Sequence, residues 1–132
     1  EARNRIKTHE NEIDRLANDF LKEMNSYGLH SICITSFDLS PITVYGNKYS
    51  LNDIDAILRN VGIFPNINPL EWIYRQSYIS GVQIWVYVIK SGVGPTINGL
   101  FEPYFYLLFA DPQSYLGEFP GKLATKFNQI LG

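Results

Sequence analysis

The residues of this chain that could support chemistry are few, and their spacing is the first thing to read. Gly94 and Gly99, inside KSGVGPTINGLFEP (90–103), are separated by four residues, like the first two glycines of a phosphate-binding loop. That loop continues with Lys-Ser or Lys-Thr, because the lysine and the hydroxyl serve the phosphates and magnesium. Leu100-Phe101 follow here instead. The segment also lies between two strand-like runs, whereas a phosphate loop opens a helix whose N-terminus supports the anion. His9, His30 and the lone Cys33 are far apart and show no metal-ligand spacing. Asp53 and Asp55 are two apart on a helical segment and point different ways, so they read as helix-terminal charges. No Gly-X-Ser-X-Gly elbow occurs, and a spatial triad built on His30 is the remaining route to a nucleophile. No pair of carboxylates is announced for glycoside chemistry. The expectation is therefore no catalytic residue, no metal ligand and no cofactor.

Composition narrows the function classes further. The chain has 132 residues, 45% of them hydrophobic and 18% charged, which suits one folded domain rather than a disordered segment. A net charge of −2 offers no electrostatic footprint for nucleic acid or an anionic membrane. No apolar run reaches the length of a membrane span, and no signal peptide is visible. With one cysteine, flanked by Ile32 and Ile34, the chain can form no internal disulfide. A reducing, cytoplasmic setting is expected, with Cys33 as a buried structural residue.

Hydrophobic periodicity supplies the elements. Residues 4–26 form an amphipathic pattern with Ile6, Ile13, Leu16, Ala17, Phe20, Leu21 and Met24 on one stripe, and Gly28 stands ready as a left-handed cap. HSICITSFD (30–38) and ITVYG (42–46) read as a hairpin whose second strand lies at an edge or starts just after Pro41. SLNDIDAILRNVG (50–62) is a helix capped by Ser50 or Asn52, with Ile54, Ile57, Leu58 and Val61 as its apolar face and Gly62 as its stop. LEWIYRQSYIS (70–80) alternates weakly, with Tyr74, Gln76 and Tyr78 on one side and Ile73, Arg75, Ser77 and Ile79 on the other; this suits an outer strand. VQIWVYVIK (82–90) and YFYLLFA (104–110) are apolar on both faces and belong inside a sheet covered on both sides. A last helix starts near Pro120, with proline in its first turn. The fold class is α+β: one α/β/α layered domain over residues 1–132, with a five-stranded antiparallel sheet and element order α-β-β-α-β-β-β-α.

Aromatic residues make up 14% of the chain, and Trp72, Tyr74, Tyr78, Trp85, Tyr87, Tyr104 and Tyr106 fall in three successive strands. An RNA-binding sheet pairs such rings with Lys and Arg, and only Arg75 and Lys90 occur here. Core packing and a protein interface are the readings that remain.

This order of elements resembles the roadblock/dynein light chain family within the wider profilin-like group. The resemblance spans residues 7–131. It rests on a first helix running into SICITSFD, on the mid-chain helix LNDIDAILRNVG, and on YLLFADPQSYLGEF leading into the last helix. It implies strand order 2-1-5-4-3, with the first and last helices on one face and the middle helix on the other. It further implies a non-enzymatic platform for a small Ras-like GTPase or a motor complex, a homodimer or heterodimer joined through third strands and middle helices. Carried onto this chain, the interface would hold Ile54, Ile57, Leu58, Val61, Tyr74, Gln76 and Tyr78. The loop before the last strand is longer than the tight turn typical of roadblock domains, so Gly94, Pro95, Thr96, Ile97 and Asn98 form a candidate specificity loop. Deletion of Val93 to Gly99 is expected to leave the fold intact, with Leu100 and Phe101 as anchors. A profilin-like actin binder is one alternative, although the first helix offers only Phe20 and Tyr27 where profilins carry an aromatic pair for polyproline. A PAS-type small-ligand sensor is the other, and would need a closed pocket between sheet and middle helix.

Overall fold

The structure, a computed structural model, describes residues 2–61 and 66–132. Its elements are α1 (Ala2–Thr8), α2 (Glu10–Met24), β1 (Leu29–Thr35), β2 (Pro41–Tyr45), α3 (Leu51–Val61), β3 (Trp72–Ile79), β4 (Val82–Lys90), β5 (Thr96–Ile97), β6 (Leu100–Phe101), β7 (Phe105–Ala110) and α4 (Phe119–Leu131). The class is α+β, with a five-stranded antiparallel sheet in the order β2-β1-β7-β4-β3 and a separate two-stranded ribbon, β5-β6.

The amphipathic pattern expected as one helix over residues 4–26 is two helices. His9, at φ −108° and ψ 22°, leaves helical geometry, and its N–H closes a tighter turn onto Ile6 O at 3.1 Å. The apolar stripe survives the break: Ile6, Ile13, Ala17, Phe20 and Met24 are all buried. A single 3-10 turn follows α2 and ends at Gly28, φ 98°. A side chain there would also collide with Ser114, since an added Cβ would lie 2.1 Å from Oγ.

The α3 N-terminus shows why a short polar stretch starts a helix. Ser50 Oγ accepts from Asp53 N–H at 3.1 Å, and the Asp53 carboxylate accepts from Ser50 N–H at 3.0 Å. This reciprocal box works with aspartate in place of glutamate. Asp55 pairs instead with Arg59 one turn on, at 2.8 Å. The predicted stop at Gly62 lies outside the described residues.

The sheet is covered on both faces, which explains the strands that are apolar on both sides. Trp85, Tyr87 and Ile89 of β4, with Tyr106 and Leu108 of β7 and Ile32 and Ile34 of β1, pack under α1, α2 and α4. Ile84, Val86 and Val88, with Leu107, Phe109 and Cys33, pack under α3. Strand alternation sends successive side chains to opposite layers, so each interior strand feeds both cores. Phe20 meets Phe119 and Phe127 edge-on at 5.2 and 6.1 Å, locking α2 to α4.

The 90–103 loop is more ordered than the glycines and prolines suggest. Thr96–Ile97 pairs with Leu100–Phe101 across Asn98 and Gly99, both at positive φ (52° and 79°). Leu100 and Phe101 are 68% and 51% exposed, so the expected anchors are not anchors. The attachment lies at the loop's base. Ser91, fully buried, accepts from Val93 N–H (3.1 Å) and Tyr104 N–H (2.9 Å) and donates to Val93 O (2.7 Å). Asn128 of α4 donates to Ser91 O and accepts from Tyr106 OH.

Candidate functional site

The sheet has two open edges, β2 and β3. β2 is short, begins with Pro41, and is crossed by Arg3, which donates to Pro41 O at 3.3 Å. Proline and a covering side chain blunt such an edge. β3 has eight residues, no proline and no lysine, and carries Arg75 as its one charge. Among the described residues no strand pairs with its outer side.

The two-residue turn Ser80-Gly81, at φ 49° and 81°, joins β3 to β4 and fixes which side chains share a face. Trp72, Tyr74, Gln76 and Tyr78 fall on the side of Trp85 and Tyr87. Tyr74 stacks on Trp85 with centroids 4.6 Å apart and planes within 10°, and contacts Tyr87 at 5.6 Å; Trp72 reaches Tyr87 at 5.7 Å. Tyr115, from the loop before α4, meets Trp85 edge-on at 5.3 Å. The Tyr87 hydroxyl donates to Ser114 O and holds that loop over the strand. The outcome is a ladder of rings whose inner members, Trp85 and Tyr87, are buried while Tyr74, Tyr78 and Tyr115 stay open. The buried indole Nε1 of Trp85 has no hydrogen-bond partner among the described residues. Beside the ladder lies an open cleft of about 750 Å³ between α2 and α4, with Tyr27, Tyr115, Leu116 and Phe119 on its walls and the Glu23–Lys122 pair (3.1 Å) at its rim.

The predicted interface divides in two. Tyr74, Gln76 and Tyr78 are exposed on the β3 edge and adjoin one another. Ile54, Ile57 and Leu58 are 0%, 1% and 8% exposed and fill the core between α3 and the sheet, which corrects their assignment to an interface. An amphipathic helix turns its apolar stripe to whichever surface is nearest, and here that is its own sheet. What α3 shows outward is Leu51, Asn52, Ala56 and Arg59. The side chain of Val61 lies outside the described residues. The candidate specificity loop also divides. Gly94 sits against the Glu102 carbonyl, 2.2 Å from an added Cβ, and Pro95 is buried with its carbonyl accepting from Glu102 N–H. Thr96, Ile97 and Asn98 make the ribbon that projects beyond this base.

Sequence reasoning missed the ribbon and Tyr115. Asn-Gly between the strand-forming pairs Thr96-Ile97 and Leu100-Phe101 is the standing signal for a tight hairpin turn and would have found the first. Nothing local marks Tyr115, whose contact with Trp85 exists only in three dimensions.

Chemistry elsewhere is sparse. Burial pushes the Cys33 thiol up to about 12, so it stays protonated and inert near neutrality. His30 Nε2 and Asp111 Oδ1 are 2.7 Å apart, with Lys48 Nζ 4.0 Å from the same oxygen. Among the described residues no hydroxyl hydrogen-bonds to His30. The His30–Asp111 pair joins the start of β1 to the loop after β7, beside the Asp111 N–H bond to Gly28 O. Among the described residues no group of three or more His, Cys, Asp or Glu is placed to hold a metal, and no helix is long and apolar enough to cross a membrane. Comparison with protein-family models, with curated proteins and with solved structures yields no match to this chain.

Proposed function

We propose that this chain is a non-enzymatic protein-interaction module, a roadblock-like dimerising scaffold or regulator for a small Ras-like GTPase or a motor complex. The observation that carries the reading is the undefended β3 edge with its exposed rings. Natural sheets blunt such edges with proline, lysine or a covering segment, and a long aromatic edge with a single charge marks a surface that another chain covers. The strand order β2-β1-β7-β4-β3, with α3 the one helix on its face among the described residues, agrees with what the resemblance implies and supports the same reading.

The two alternatives draw less support. The space between α3 and the sheet, where a PAS-type sensor would hold its ligand, is filled by Tyr49, Ile54, Ile57, Val86, Val88 and Phe109. Phe20, which a profilin-like polyproline surface would need outside, is 4% exposed and packed against α4.

The test is light scattering on size-exclusion fractions over a wide concentration range, followed by binding to immobilised Ras-like GTPases loaded with GDP or a GTP analogue. A dimer that binds one nucleotide state is the expected outcome. A monomer at every concentration overturns the reading.

A further inference from the structure

We infer that β3 accepts the β3 strand of a second copy in one register only, with the two-fold axis at Gln76. The inference rests on the dimeric reading above and deepens it, because the structure and sequence of the edge restrict how two copies can meet.

The phase of the main chain comes first. Ile79 and Val82 flank a two-residue turn with both central residues at positive φ, and such a turn closes on a hydrogen-bonded pair. The main-chain groups of Ile79 therefore point to β4. In an antiparallel ladder this alternates, so those of Ser77, Arg75 and Ile73 point inward too. The other end of the ladder has the same phase, since Lys90 N–H donates to Glu71 O at 3.2 Å. The N–H and C=O groups of Trp72, Tyr74, Gln76 and Tyr78 are left facing the open edge.

An antiparallel partner must set outward-facing residues against outward-facing residues. For two identical strands, the axis then passes through a residue pair rather than between neighbours. Four such centres keep most of β3 paired: Tyr74, Arg75, Gln76 and Ser77. Centring on Tyr74 sets Ile73 against the partner's Arg75 and leaves Tyr78 unmatched. Centring on Arg75 puts it opposite the partner's Arg75, with Cβ atoms about 4.5–5.5 Å apart, a destabilising like-charge contact. Centring on Ser77 sets Arg75 against the partner's Ile79 and leaves Ile73 unmatched. Centring on Gln76 sets Ile73 opposite the partner's Ile79, Tyr74 opposite the partner's Tyr78, and Arg75 opposite the partner's Ser77. Gln76 then faces the partner's Gln76.

Only this last register matches apolar with apolar and ring with ring on both faces at once. Ile73 and Ile79 already pack at the margin of the core beneath α3, and pairing would extend that core across the junction. On the other face the two aromatic ladders would meet through Tyr74 and Tyr78. Tyr74, Gln76 and Tyr78 of each copy would exchange both main-chain bonds with their opposites. The joined sheet would leave its free ends at the two β2 strands, the edges already blunted by Pro41 and Arg3.

Single-cysteine cross-linking tests the register. Cys33 is 0% exposed and does not compete for oxidation. Mild oxidation of Gln76→Cys should give a covalent dimer in high yield. Arg75→Cys and Ser77→Cys should each fail alone, because diagonal neighbours across a ladder are about 7–8 Å apart, too far for a disulfide. Mixed together they should cross-link. Charge reversal gives an independent reading in variants first shown to melt like wild type. Gln76→Glu and Gln76→Lys should each weaken self-association, while their equimolar mixture associates at least about five-fold more tightly than either alone. A wild-type dimer that cross-links through Arg75→Cys alone or Ser77→Cys alone, or a charge mixture no tighter than its components, overturns the register and leaves the dimeric reading standing. A wild type that stays monomeric overturns both.

Discussion

Replacing Ser91 by alanine should lower stability more than its size suggests, because one hydroxyl organises the base of the 90–103 loop. The side chain is fully buried and serves two N–H donors and one carbonyl. Without Oγ, Tyr104 N–H still reaches Val93 O at 3.1 Å, so that donor keeps a partner. Val93 N–H has no second acceptor among the described residues and is left unsatisfied in a half-buried place. An orphaned buried donor costs about 1–3 kcal/mol. With 132 residues, the unfolding entropy is roughly 0.28 kcal/mol/K, so the melting temperature should fall by about 4–11 °C. Circular dichroism melts of wild type and Ser91→Ala measure this directly. Thr96→Ala, on the exposed ribbon, is the control and should stay within about 2 °C, as surface substitutions do. The same reasoning reverses the expectation that Val93–Gly99 is dispensable: its first residues, Val93 and Pro95, belong to the base. If Ser91→Ala melts with wild type, the hydroxyl does not hold the loop and the base is not its anchor.

Ile54→Ala should cost about 2–5 kcal/mol and lower the melting temperature by roughly 7–18 °C, because Ile54 is 0% exposed between α3 and the sheet. An interface residue would instead leave the melt of the monomer unchanged, so an unchanged melt would return Ile54 to the surface. Alkaline pH should destabilise the fold through groups kept neutral by burial. The Cys33 thiol rises from 9.0 to about 12 and the Tyr45 hydroxyl from 10.0 to about 12, while Tyr106 is pushed up further. Each ionises in the unfolded chain before it does in the folded one, so its contribution is whole below the ordinary value and is lost as pH rises through the raised one. Urea midpoints should fall between pH 9 and 12, and less steeply in Cys33→Ala; a parallel slope would remove the thiol from the account.

Much of the fold was legible because its signals are local. Ser50 and Asp53 form their reciprocal cap within three residues, Gly28 ends the α2 segment at positive φ, and Pro120 sits in the first turn of α4. Strand alternation alone grouped Tyr74, Gln76 and Tyr78 on one side of β3, and only the family resemblance placed them at an interface. The break at His9 was not legible, because the apolar stripe continues across it. Nor was the fate of the α3 stripe. Ile54, Ile57 and Leu58 have the same pattern whether they face a partner or their own sheet.

The chain's order of residues thus settled what each segment becomes, since periodicity, caps and turn chemistry act over a few residues and need no distant neighbour. It also marked the strands that must lie inside a sheet, because side chains apolar on both faces have no solvent side to turn to. Which rings are buried and which stay open was decided by tertiary structure. Trp85 and Tyr87 look like Tyr74 and Tyr78 in sequence, yet the first pair lies beneath neighbours while the second lines an edge that no other strand covers among the described residues. An edge is a property of the whole sheet: it exists where the last strand finds no partner.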